Sequence, residues 1–273
     1  MQDEAFMDKA FWWVAAVVVV VIVGGGYYYY RTHHMPPPPP VAQGPLPAPA
    51  PGPEPAIQHP IPADAGTDTV APPPLEDSDV PMRTALLGVF GDKTVSDFLV
   101  PKDVIRHMVV TIDNLPRKKV AVELRPVKPT PGATATSGAE DALVLAPKNY
   151  ERYTPFVQAL RAADAKQLTR IYFHFYPLFQ QAYENLGYPS QYFNDRLIAV
   201  IDDMLKAPDV QGPIELVQPR VFYEYKDRDL EERSAGQKLL IRMGPANAAV
   251  VKAKLRELRG ALVEREKATG KHG

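Results

Sequence analysis

Residues 164–205 read DAKQLTRIYFHFYPLFQQAYENLGYPSQYFNDRLIAVIDDML. Asp164 stands where a helix N-cap is wanted. Leu168, Ile171, Phe175, Phe179, Ala182 and Leu186 follow it as the apolar stripe of one helical face. Gly187 is a natural stop, because glycine enters the left-handed conformation without steric cost. Pro177 lies inside the run, lacks a backbone donor and is expected to kink it. After GYPS, Phe193, Leu197, Val200, Ile201 and Met204 predict a further helix that ends before Pro208. Two such stripes in succession decide for a mainly α fold.

The periodicity continues in both directions. Asn149 is placed to cap a helix carrying Tyr153, Phe156, Val157 and Leu160. Val104, Ile105, Met108, Val109 and Ile112 predict a helix begun by Pro101, and Asp79 is placed to cap a shorter one that reaches Phe90 and stops at Gly91. KKVAVELRPV (118–127) alternates enough for a strand or an extended arm, and 128–141 reads as a loop. Downstream, PIELVQPRVFYEY (213–225) suggests one or two short strands, and DLEERSAGQKLLIRMG (229–244) returns to helix. A last helix from Pro245 carries Val251, Leu255, Leu258 and Leu262 in a seam expected to pack on its own domain rather than on a partner helix. Residues 79–265 are thus expected to form one mainly helical domain with a few short strands, followed by a disordered tail, 266–273.

The chain before that domain is of another kind. Phe11 to Tyr30 carries no charged side chain. As a helix this run would span ~30 Å, about the hydrocarbon thickness of a bilayer. Trp12 and Trp13 at one end and Tyr27 to Tyr30 at the other suit the two headgroup levels. A cleaved signal peptide would need a small-x-small site, which is missing. A buried core helix would need a partner, and a proline tract follows instead. A single transmembrane helix after a short tail (1–10) is therefore expected, with the lipid bilayer as its partner. Lys9 and Arg31 nearly balance the positive-inside rule; export of the C-terminal part is the expected orientation.

Seventeen of the thirty prolines lie between Pro36 and Pro81. The same stretch holds six acids and no Lys or Arg between Thr32 and Met82, whereas 29 Lys and Arg face 23 Asp and Glu from Met82 onward. A mildly basic domain is thus expected on an acidic, disordered linker (31–78) that favours polyproline II at ~3.1 Å per residue. The linker reads as a spacer, with a ligand for a proline-recognition domain as the alternative. Attraction between acidic linker and basic domain would be sensitive to salt.

NYERYTPFVQAL, FYPLFQQAYENLGYPSQYFNDRL, LEERSAGQKLLIRMGPANAAVVKAKLRELR and the earlier RHMVVTIDNLP resemble the bacterial domain-of-unknown-function family 3014. The likeness covers roughly Asp79 to Leu262. It implies the same layout of membrane helix, proline-rich stretch and helical domain; the expected location is the bacterial inner membrane, with the domain in the periplasm. It implies no reaction, cofactor or catalytic residue.

The chemistry on offer is sparse. Cysteine is absent, which excludes thiol catalysis and disulfides. No HExxH, GxSxG, Walker loop or GxGxxG turn occurs, and no cofactor is expected. His174, among aromatic residues, reads as a packing histidine. The densest polar cluster is Gln180, Gln181, Tyr183, Glu184, Tyr192, Asn194, Asp195 and Arg196. Tyrosines beside amides suit peptide or sugar binding, and a hydrogen-bonded seam between two helices is the plainer reading. Glu184, one turn from Gln180, is the only candidate general acid, for glycan cleavage. Lys252, Lys254, Arg256 and Arg259 read as a solvated face diluted by glutamates, so nucleic acid is not expected. The expected function is a tethered binding or scaffolding module that engages an envelope protein or wall polymer, with a glycan-acting enzyme as the alternative.

Overall fold

The computed structural model describes residues 56–61, 71–139 and 142–269. The chain divides into two units, Met1–Pro53 and Glu54–Gly273, and every described residue belongs to the second. The apolar run 11–30 lies outside the described residues. Among those described, no helix is long and apolar enough to cross a membrane.

Helix α1 (Asp79–Phe98) is broken but not ended at Gly91, whose φ of 75° and ψ of 162° lie outside helical space before the chain re-enters it. Asp79 serves another helix than the one expected. Its carboxylate accepts from the backbone N–H groups of Asp103 and Val104, both at 2.9 Å. These donors open α2 (Val104–Asn114), whose own capping residue, Asp103, sits in the left-handed region at φ 52° and makes no side-chain cap. One helix thus caps the next.

Where one helix was expected around Asn149, the chain forms two, α3 (Pro147–Glu151) and α4 (Thr154–Ala162). Asn149 is buried inside α3 rather than capping it, and its amide donates to the Arg242 carbonyl at 3.0 Å. Helix α5 (Ala165–His174) begins as predicted, with Asp164 accepting from the Gln167 N–H at 2.7 Å. Pro177 does more than kink the run. Phe175 leaves the helix (φ −90°, ψ 3°), and α6 (Tyr176–Asn185) restarts with the proline in its first turn, where a missing donor costs little. Gly187 follows at φ 110°, and α7 (Phe193–Leu205) matches the second stripe.

The strands are two-residue pairs. β1 (Thr136–Ser137) joins β2 (Val144–Leu145), and β3 (Leu216–Val217) joins β4 (Glu224–Tyr225), both antiparallel. Residues 118–127 form no strand; they contain a 3-10 turn at Val122–Leu124 and one bridge from Val127 to Leu99. The helix expected over 229–244 is also two, α8 (Arg228–Glu231) and α9 (Ala235–Arg242). Ser234 caps the second by accepting from the Gln237 N–H at 3.2 Å.

Helix α10 (Pro245–Thr269) runs past residue 265, where a tail was expected, and packs against α4, α5, α7 and α9. Val251 and Leu262 are buried by this packing, so the seam is spent inside the domain. The expectation of a solvated basic face is corrected for two residues. Lys252 and Lys254 are buried, and their ammonium groups donate to the Ala207 carbonyl at 2.6 Å and the Ala163 carbonyl at 2.8 Å. Those carbonyls lie just past the ends of α7 and α4, where cations satisfy the free acceptors of a helix terminus. Asp209 and Glu257 complete each pair, both at 2.6 Å.

Candidate functional site

The turn from α6 to α7 is held by a single glutamine. Gln180 accepts from the Phe193 N–H and donates to the Gln191 carbonyl, both at 2.9 Å, so it clamps the first turn of α7 to α6. Its amide also donates to Glu184 at 2.9 Å, and the Tyr176 hydroxyl donates to its oxygen at 3.0 Å. Tyr183 is fully buried, stacks on Tyr188 with ring centroids 4.6 Å apart, and donates to Gln191 at 3.1 Å. Burial pushes the Tyr183 phenol pKa up, so it stays a donor. Glu184 and Gln181 are exposed. This half of the predicted cluster is a hydrogen-bonded seam.

The other half does something the sequence reading did not foresee. Residues 56–61 of the linker, AIQHPI, lie against the start of α7. The Asp195 carboxylate accepts from two consecutive backbone N–H groups, Gln58 at 3.0 Å and His59 at 2.7 Å. Asn194 donates its amide to the His59 carbonyl at 2.9 Å, and the Tyr192 hydroxyl accepts from the Ile61 N–H at 3.0 Å. Ile61 packs where the cluster of Phe175 and Phe179 meets that of Phe173 and Ile198. Asn194 is itself only 2% exposed, and the Tyr172 hydroxyl donates to its oxygen at 3.1 Å, which turns the amide nitrogen toward the linker. Burial raises the Tyr172 phenol pKa well above its ordinary value, with Tyr192 and Asp195 adding to the shift, so the donor role is secure.

Arg196 belongs to neither half. It donates to Asp113 through Nε at 3.0 Å and to the Asp113 carbonyl at 2.6 Å. Asp113 is almost wholly buried and takes a second guanidinium, from Arg117, at 2.6 Å. This locks α2 to α7 behind the linker contact. Arg152 lies elsewhere, bonded to Asn149 and to the carbonyls of Pro131 and Gly132.

The sequence reading missed Gln58, His59, Ile61, Tyr172 and Asp113. One signal was available for the first three. Ile57 and Ile61 are the only isoleucines in a linker built mostly of proline, alanine and acids, and they flank Gln-His-Pro.

Other hollows offer less chemistry. Two apolar clefts of about 220 and 160 Å³ share Leu86 and Met108, and neither takes Tyr183, Glu184 or Asp195 into its wall. In a polar cleft near Lys118, the Ser234 hydroxyl donates to Asp203 at 2.6 Å and no histidine stands beside it. Among the described residues, no three His, Asp or Glu side chains converge as metal ligands.

Residues 104–259 match the family described as "Protein of unknown function (DUF3014)". The chain belongs to this family. The DUF3014 match, 156 of 273 residues (259 − 104 + 1), begins at α2 and ends within α10. Tyr192, Asn194, Asp195 and the Asp113–Arg196 pair fall inside it, whereas α1 and the docked linker segment fall outside. No curated protein and no solved structure matches the chain.

Proposed function

We propose that this DUF3014 chain is a membrane-tethered binding or scaffolding module of the bacterial envelope. Residues 11–30 would anchor it to the inner membrane by one helix, the proline-rich linker would set its reach, and the helical domain would engage a protein or wall component in the periplasm. One observation carries the binding part of this reading: the domain already grips a chain segment, bent at Gln58–His59, through its main chain, with a buried amide and a carboxylate aimed at peptide groups. Main-chain hydrogen bonds plus a side-chain pocket are how proteins recognise peptide segments. The anchor and address rest on the uncharged run, its aromatic flanks and the family resemblance.

The glycan-hydrolase alternative gains nothing from the geometry. Glu184 is exposed, and its bond from Gln180 is part of the seam. In-cell crosslinking of the full-length chain, followed by affinity capture, is expected to recover a specific envelope partner, equally for wild type and Glu184→Gln. A reporter fused after Gly273 is expected to be active only if periplasmic. Cytoplasmic reporter activity would overturn the orientation, and glycan release abolished by Glu184→Gln would overturn the choice of binding over catalysis.

A further inference from the structure

We infer that Tyr192, Asn194 and Asp195 form a recognition groove for a short peptide that bends just ahead of a proline followed by an aliphatic residue. Gln58–Ile61 is its resident ligand, held in cis until a partner segment of the same form displaces it. The inference rests on reading the domain as a binding module and names the chemistry of what it binds.

The order of contacts along the segment sets the specificity. The groove accepts an N–H from Gln58, accepts an N–H and donates to the carbonyl of His59, and accepts an N–H from Ile61. At Pro60 the groove offers no acceptor, and proline has no N–H to lose. Proline there also restricts the backbone before binding, which lowers the ordering cost. The contact to Gln58 runs through its backbone N–H, so other residues can stand there, whereas the His59 side chain also acts on Asp202, whose carboxyl pKa it helps Arg259 to lower. At Ile61 the side chain also counts, because it packs between two core clusters. The flanking rings belong to Tyr172, Tyr176 and Tyr192, with adjacent centroids 5.7 and 5.5 Å apart, as suits a proline-containing ligand.

The groove is built for a ligand rather than for its own helix. Asp195, in the first turn of α7, spends both carboxylate oxygens on the linker. Asn194 is buried with the segment in place, and its amide nitrogen meets the His59 carbonyl, so a displacing ligand must offer it a carbonyl in the same place. The occupant is joined to the domain by a short stretch, residues 62–78, which gives it a high effective concentration. A partner must therefore outcompete it.

The test uses the full-length chain in lipid nanodiscs and a fluorescent synthetic peptide, AIQHPIP, the sequence of residues 56–62. Ile61→Glu is expected to eject the resident segment, seen as faster amide exchange at Gln58 and His59, and to tighten peptide binding at least tenfold over wild type. Adding Asp195→Ala, or Tyr192→Phe should the former fail to fold, is expected to weaken it again, and a scrambled peptide is expected not to bind. Three results would overturn the inference: slow exchange persisting in Ile61→Glu, no saturable binding once the segment is released, or binding indifferent to both groove substitutions. The probe is synthetic, so failure to capture an envelope partner would leave this result standing, and the converse also holds.

Discussion

At the scale of single residues, carboxylates in this domain act at a distance in sequence. Asp164 was legible because its acceptor role is local, three residues away. Asp195 was not, because its donors lie 136 and 137 residues upstream in a stretch whose composition argues for disorder. Asp202 is a third case. It forms a two-pronged pair with Arg259 of α10 at 2.6 and 3.0 Å, and the hydrogen bonds from that guanidinium hold its pKa below the ordinary value. A carboxylate depressed in the folded state adds stability above its unfolded pKa of about 4, and the gain disappears as pH falls through the folded value. Both side chains are nearly two-fifths exposed, so solvent screening keeps the effect small, about 0.5–1 kcal/mol. Urea titrations of wild type and Asp202→Asn should differ by that amount at pH 7 and converge toward pH 3.

Elements were legible in existence and type but not in their breaks. The stripe from Leu168 to Leu186 keeps its helical phase across Phe175, so periodicity alone cannot reveal two helices there. The same holds at Tyr153 and at Ser234. The α1–α2 junction shows the opposite failure, since each helix was read but not their dependence. Asp79 on α1 satisfies two opening donors of α2, and α2 in turn carries Asp113, which holds Arg196 of α7. Asp79→Ala is expected to cost about 1–2 kcal/mol in chemical denaturation, the usual range for a lost cap. Asp79→Asn should recover part of this, since the amide oxygen can still accept.

The docked segment is itself a balanced element. Two charge-assisted bonds, two neutral ones and a partly buried isoleucine sum to roughly 6–9 kcal/mol. Ordering six residues costs about 6–12 kcal/mol, reduced by the prolines. The two sides are of similar size, so the segment is held by a narrow margin; the tenfold gain expected on its release corresponds to a margin of about 1.4 kcal/mol.

At the scale of the molecule, the charge contrast between acidic linker and basic domain suggested attraction by opposite charge. The docking contact works largely otherwise: hydrogen bonds join neutral peptide groups to a domain carboxylate, amide and hydroxyl, and His59 adds one short-range charge effect at Asp202. Glu76, paired with Arg106 at 2.9 Å, is the linker acid that follows the expected pattern, and it sits beside α1. Energy transfer between a dye near residue 57 and one on α7 is therefore expected to change little between ~0.05 and ~0.5 M salt, where exposed ion pairs are largely screened. A marked loss of transfer at high salt would show that long-range charge holds the linker instead.

The position of the docked segment has a mechanical consequence. Tension applied from the amino-terminal side reaches Asp195, Asn194 and Tyr192 before it reaches Leu75, the first deeply buried side chain among the described residues, at the threshold of α1. These few contacts are weaker than the helical core and give way first. The stretch from Ala56 to Pro74, 19 residues, would measure up to ~65 Å if fully extended. The groove is then a sacrificial link: pulling empties it, and the same stretch that lengthens the leash exposes the surface a partner would take.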